Sequence, residues 1–211
     1  MPLQNRVTPF GDIVAVAARG AWMGNRGVLH GDDRTLTRRR WTTRAWLVCR
    51  LDFNGRHRTV MTPRRYTELF FLDEATALAA GHRPCFECRR ADFRRFRGAW
   101  IEAHGGDGRV ASIDAMLHDA RVGPSGTRPT VRAEVRDLPD GTMVLHPDAP
   151  GVACLVHRST LRPWSFAGYG APVPATGWVV VLTPAPTVAA IAAGYGPQVH
   201  VSAVIGLAPA C

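Results

Sequence analysis

Residues 81–88 read Gly81-His82-Arg83-Pro84-Cys85-Phe86-Glu87-Cys88, and this octet constrains the fold more than any other segment. Two cysteines two residues apart on a turn aim their sulfurs at one point, which is half of a tetrahedral zinc site. The flanks suit such a knuckle. Asp73 is placed to cap a short alanine-rich helix over 74–80, and Gly81 can end it in the left-handed conformation that glycine adopts without a Cβ penalty. After the pair, an amphipathic helix is predicted over 89–104, with Phe93, Phe96, Trp100, Ile101 and His104 spaced along one face. A thioredoxin-type redox pair would instead follow a strand and open the helix of a βαβ unit. The helix and glycine stop ahead of Cys85 favour metal.

Zinc takes four ligands. Cys49 is the expected third, because Cys154 and Cys211 fall in the half of the chain without surplus positive charge. An Asn54-Gly55 turn bears on the fourth. Trp46–Phe53 and 56–61 flank it as a predicted hairpin, since Asn-Gly accommodates the two positive φ values of a two-residue turn. In that register Cys49 pairs with Val60, and His57 points to the opposite face with Asp52. His82 lies inside the turn that presents Cys85, so ligation by it would strain that turn. His30 ends a predicted strand before Gly31-Asp32-Asp33 and escapes both objections. The expected ligand set is therefore Cys49, Cys85, Cys88 and His30. A closed Cys3His set is structural, whereas three ligands plus water would be catalytic.

All 26 basic side chains are arginine, and the abundance of Ala, Gly and Pro beside them fits a GC-rich coding sequence. The first hundred residues hold 19 arginines against 9 acidic residues, and the rest hold 7 against 8, so the net charge of +9 originates in the half with the cysteine pair. A surplus of that kind suits a polyanionic partner through phosphate contacts and counterion release. Arg38, Arg39 and Arg40 ahead of Trp41, with Arg89, Arg90, Arg94 and Arg97 on the helix leaving the knuckle, are the expected contacts to nucleic acid. Five cysteines without regular spacing argue against a disulfide framework. No run reaches the ~18 apolar residues of a membrane span, and Asn5, Arg6 and Asp12 interrupt what would be a signal segment. A reducing cytoplasm is the expected location, with no membrane partner.

The expected fold class is α+β. A zinc-pinned hairpin, knuckle and helix occupy 1–105. A helix and a Gly/Pro/Ser-rich linker occupy 106–130. A small β-rich unit over 131–211 can share one core with the first. Strands are predicted at 13–18, 66–72, 131–138, 142–146, 154–161 and 178–182. A second short helix is capped by Thr183, begins at Pro184 and stops at Gly194. His146 and His157 flank Cys154, a weaker Cys/His constellation with nothing to orient the histidine.

The phrase Phe70-Phe71-Leu72-Asp73-Glu74-Ala75-Thr76-Ala77-Leu78-Ala79-Ala80-Gly81-His82-Arg83-Pro84-Cys85-Phe86-Glu87-Cys88-Arg89 resembles the zinc-binding N-terminal module of Ada-type DNA alkylation-repair proteins. That module carries an aromatic strand end, an alanine-rich helix, Gly-aromatic-Arg-Pro-Cys and a further Cys after two residues. The resemblance implies zinc on Cys85 and Cys88, DNA as partner, and a zinc-bound cysteine that accepts a methyl group from a phosphotriester. The family's first two cysteines lie close together ahead of the knuckle. Here that region holds Arg56, His57 and Arg58, with the lone Cys49 further upstream, so the methyl acceptor does not carry over by position. No helix-turn-helix, no second-domain alkyltransferase motif and no His-Glu-containing helical motif accompanies the phrase. The expected function is nucleic-acid binding around a structural zinc. The alternatives are a reactive zinc thiolate, a zinc-dependent hydrolase or nuclease, or a globular protein with a vestigial knuckle.

Overall fold

Helix α1 (Glu74–Ala79) is buried along its whole length, and the rest of the chain is arranged around it. The structure is a computed structural model that describes residues 1–55, 59–123 and 127–205. Ahead of α1 lie β1 (Gln4–Val7), β2 (Ile13–Ala15), β3 (Trp22–Asn25), β4 (Leu47–Cys49) and β5 (Leu69–Phe71). After it come β6 (Arg83–Pro84), α2 (Arg90–His104) and α3 (Val110–Arg121). The remainder holds β7 (Val131–Glu134), β8 (Met143–Leu145), β9 (Ala153–His157), β10 (Thr160–Ser165), β11 (Gly168–Tyr169), β12 (Val173–Pro174), β13 (Trp178–Val181), α4 (Ala185–Ala192) and α5 (Ser202–Ile205).

One sheet has the order β2-β1-β5-β3-β4-β6 and is antiparallel except for β1 on β5 and β4 on β6. The other has the order β11-β10-β9-β8-β13-β7, with β12 also on β10, and is antiparallel throughout. Helices packed on two such sheets make the fold α+β. The two halves of the chain meet on α1. Ala75 and Ala79 pack with Met143, Leu155 and Tyr169 of the second sheet. Ala77 and Ala80 pack with Val48, Leu69 and Phe71 of the first. Leu78 packs with Phe96 and Trp100 of α2, Leu117 of α3 and Ile191 of α4. An alanine-rich helix is suited to this position, because small side chains let sheets and helices approach from every side.

Local chemistry sets both ends of α1. Asp73 Oδ1 accepts the Thr76 amide at 2.8 Å, a side-chain N-cap. At the other end Gly81 has φ +87°, the Gly81 amide bonds Leu78 O and the His82 amide bonds Ala77 O, which is a Schellman stop. Helix α4 ends the same way at Gly194, with Gly194 bonded to Ile191 O and Tyr195 to Ala190 O.

Three expectations are corrected by longer-range bonds. Asn54 and Gly55 do take φ of +54° and +61°, but the strand ahead of them is only Leu47–Cys49. It pairs with β3 and β6, placing Cys49 opposite Met23, and 59–61 is not a strand. Residues 56–58, where the rest of the hairpin was expected, lie outside the described residues. The predicted strand over 154–161 is two strands, broken by a left-handed turn at Arg158 (φ +48°) and Ser159 (φ +57°). The Asp140 carboxylate holds that turn by accepting the Arg158 amide at 2.9 Å. Thr183 does not cap α4; its hydroxyl accepts the Met143 amide at 2.9 Å, and Pro184 takes the cap position.

The acidic pair at the head of α1 gathers the later chain. Asp73 Oδ2 accepts the Tyr169 hydroxyl at 2.7 Å and the His200 amide at 2.9 Å. Glu74 accepts the Tyr195 hydroxyl at 2.5 Å and the Gln198 amide at 2.9 Å. Its Oε1 also lies 2.8 Å from Arg89 Nη1, both side chains fully buried. Removing one partner of a buried ion pair leaves the other uncompensated, so Glu74→Ala should cost about 3–5 kcal/mol of unfolding free energy. Arg90→Ala, on the exposed face of α2, should stay within about 0.5 kcal/mol. Urea denaturation of both variants checks the contrast.

Candidate metal centre

Strand β4 turns Leu47 and Cys49 to one face of the first sheet and Val48 to the other, by ordinary β alternation. Strand β6 then delivers the knuckle to Cys49. The Arg83 amide bonds Trp46 O at 3.0 Å and the Cys85 amide bonds Val48 O at 2.9 Å. Pro84, between them, has no amide to give, and β6 is the edge of the sheet, where a missing donor costs nothing. The Arg-Pro-Cys order is therefore a docking device: two ladder bonds, with the proline turned to the open edge.

The outcome is a cluster in which the sulfurs of Cys49, Cys85 and Cys88 all lie within 4.8 Å of one another. Cys49 and Cys85 are buried and Cys88 is half-buried. Sulfurs bound at ~2.3 Å to one tetrahedral ion sit about 3.8 Å apart, inside this limit, so the three thiols could hold a single metal. Backbone amides already face them. Those of Cys88 and Glu87 donate to the Cys85 sulfur, and that of Arg50 to the Cys88 sulfur. Hydrogen bonds from Cys49 and Cys88, then these amides, hold the Cys85 thiol down at about 2. Cys49 is pushed up, by its bonds to Cys85 and Cys88 and by burial. The three thiols thus titrate jointly, and a divalent cation would displace their remaining protons.

His30 does not join the cluster. Its Nδ1 lies 2.7 Å from Thr67 Oγ1 and its Nε2 3.2 Å from Thr62 O, so both ring nitrogens are engaged in packing the 62–67 segment. Among the described residues no fourth His, Cys, Asp or Glu completes the set. The face beyond the sulfurs is instead a cleft of about 430 Å³, lined by the three cysteines with Tyr66, Glu68 and Glu87. Glu68 is anchored there by the Met61 amide at 2.7 Å. Met23 and Asn25 of β3 also line it, and no local sequence signal marks them.

The arginines separate into two groups. Arg89, expected on the surface, is buried. Besides Glu74 it pairs with Asp92 at 2.8 Å and stacks over Trp22 at 4.0 Å. It is a fastener of the knuckle and is not available to phosphate. Arg97 is exposed but donates to Gly108 O at 2.8 Å and Asp107 O at 2.6 Å. Arg38, Arg39, Arg40, Arg90 and Arg94 are exposed. Cys154 is a core residue of the second sheet, its thiol pushed up to about 11 by burial. No described helix is long and apolar enough to cross a membrane.

No family model, curated protein or solved structure matches this chain.

The purified protein should carry one divalent metal ion per chain by elemental analysis. Cys49→Ser, remote from the knuckle in sequence, should weaken retention as severely as Cys85→Ser. Each loss should exceed the ~10–100-fold that removal of an outer-shell partner costs. His30→Ala should retain the metal.

Proposed function

We propose that the chain is a zinc-thiolate protein that binds nucleic acid through its arginine-rich half, with Cys49, Cys85 and Cys88 as three zinc ligands. The meeting of three sulfurs across the β4–β6 ladder carries this reading. An all-thiolate donor set is soft, which favours zinc over magnesium or calcium, and a CxxC knuckle with one remote cysteine suits a single tetrahedral ion. The likeness of residues 70–89 to the Ada-type module points to the same metal and to DNA. Phe86 at the knuckle tip is 53% exposed, which suits stacking on an unpaired base. Arg90 and Arg94 follow on adjacent turns of α2 and supply phosphate contacts.

The cleft favours a second reading, a reactive centre. Three thiolates on a zinc ion leave a net negative unit. That weakens it as an activator of water and strengthens its sulfurs as nucleophiles, so alkyl acceptance is favoured over hydrolysis. Cys88, the most open of the three, is the sulfur a substrate in the cleft would reach. Its lone pair would form a bond to a methyl carbon while the carbon–oxygen bond of a phosphotriester breaks, leaving the electrons on phosphate; no proton or oxidant is needed.

Nucleic-acid binding is tested by its salt dependence. Replacing Arg90 and Arg94 by Ala should flatten the slope of log K against log[salt] by up to about two units on duplex DNA, at ~0.9 per phosphate contact. A wild-type protein with no salt-dependent binding to DNA or RNA at low ionic strength would contradict it. Alkyl transfer is tested by incubation with DNA carrying methyl phosphotriesters. Mass spectrometry should place one methyl group on Cys88, and Cys88→Ser should abolish it.

A further inference from the structure

On the face of the first sheet opposite the thiols lies a second cavity, of about 300 Å³. Alternation places it there: Arg26 and Trp46 continue the parity of Gly24 and Val48, away from Cys49. Its walls carry four arginines, Arg26, Arg40, Arg121 and Arg128, and no carboxylate. They come from four separate segments, the ends of β3 and α3 and the loops around 40 and 128.

Three of these guanidiniums are withdrawn from solvent. Arg26 is 2% exposed and Arg121 5%, while Arg128 is half-buried. Arg26 and Arg121 both stack on the Trp46 ring, at 4.2 and 4.1 Å. Backbone carbonyls take part of their donor capacity. Arg26 Nη1 donates to Gly11 O at 2.9 Å, Arg121 Nη1 to Gly81 O at 2.7 Å, and Arg128 Nη1 to Phe10 O at 3.1 Å. Arg26 Nε donates to His82 Nε2 at 3.3 Å. Two donors remain buried without a partner: Arg26 Nη2 and Arg121 Nε. Among the described residues none of the four arginines forms an ion pair with a carboxylate. Asp114, whose charge acts on Arg121, is committed to Arg83 by two bonds at 2.7 and 2.8 Å, and Asp12, whose charge acts on Arg26 and Arg128, does not line the cavity.

Buried cations are ordinarily paired, because an uncompensated charge in a protein interior is costly. Here like charges are held together, and the strain registers on the most basic of side chains. Burial, then the neighbouring Arg121, Arg128 and Arg40, hold Arg26 down at about 9. Burial holds Arg121 at about 9 and Arg128 at about 10. A cavity with this wall is complementary to a compact anion rich in acceptor oxygens.

We propose that this cavity is a binding site for a phosphate-class oxyanion, free or as a phosphate monoester, seated against Arg26 Nη2 and Arg121 Nε with Arg40 closing over it. Trp41, 37% exposed at the rim and held edge-on against His118 at 4.5 Å, is the surface on which the organic part of a monoester would rest. The site shares no residue with the thiol cluster and does not use Arg90 or Arg94, so the outcome of its test is distinguishable from that of the salt-dependence test above.

The test is calorimetric titration of the zinc-loaded full chain with inorganic phosphate, adenosine 5′-monophosphate and adenosine, at low ionic strength. Saturable binding of one phosphate per chain is expected. Adenosine should not bind. Equal affinities for phosphate and the monophosphate identify the free ion as ligand, and tighter binding of the monophosphate identifies a monoester on Trp41; both support the site. Arg26→Gln should weaken binding by about 10-fold or more, as loss of a charge-assisted bond does. Arg40→Ala, at an exposed position the fold does not use, should weaken it several-fold even if the Arg26 variant fails to fold. The Arg90/Arg94 double variant should bind phosphate as wild type does. No saturable binding of either phosphate species, or undiminished affinity in the Arg40 variant, would overturn the proposal.

Discussion

The buried contact between Glu74 and Arg89 is the constraint on which this molecule depends. Glu74 stands at the head of α1 and Arg89 directly follows Cys88, so one ion pair ties the exit of the knuckle to the start of the helix whose end launches it. The knuckle is thereby clamped at both ends, by the two-bond ladder of β6 on β4 and by Arg89 on Glu74 and Asp92. The Arg89 guanidinium nitrogen and the Glu74 oxygen are 2.8 Å apart with both side chains fully buried, so loss of either would leave the other's charge uncompensated. The same carboxylate receives Tyr195 and the Gln198 amide from the far end of the chain. Geometry at the thiols and closure of the whole fold are thus coupled through a single side chain.

What the sequence made legible follows the range of the forces involved. The cap at Asp73, the stops at Gly81 and Gly194 and the face of α2 depend on neighbours a few residues away, and they are where capping rules and periodicity place them. Cys85 and Cys88 share a turn, and their pairing is equally local. Cys49 was found by elimination, although the hairpin used to orient it is not its true setting. The Asn54-Gly55 turn has the expected φ values, yet the ladder goes to β3 and β6. Cys49 lies opposite Met23 rather than Val60, so hairpin alternation does not bear on which histidine can reach it. His30 was misread because its ring is consumed by Thr67 and Thr62. Arg89 was misread because an arginine opening a polar helix looks solvated until Glu74 is seen beside it.

The first sheet separates two chemistries by strand alternation alone. One face presents three thiols to a cleft with Glu68 and Glu87, and the other presents stacked guanidiniums around Trp46. No reading of charge along the chain could have isolated the second. Arg26, Arg121 and Arg128 come from distant segments and are indistinguishable in sequence from the exposed Arg38 and Arg39. The net charge of the N-terminal half therefore overstates the basic surface, since part of it is withdrawn into Arg26, Arg83 and Arg89. What remains outside includes Arg38 and Arg39, Arg90 and Arg94 on α2, and the exposed Arg19, Arg34, Arg44, Arg50, Arg64 and Arg65.

One metal ion is expected to join Cys49 to the knuckle, with its fourth position toward the cleft. X-ray absorption at the zinc edge of the purified protein measures this directly. Three sulfur neighbours at about 2.3 Å and one lighter atom at about 2.0–2.1 Å are expected. A shell with two sulfurs or fewer, or one made of nitrogen and oxygen alone, would contradict this arrangement.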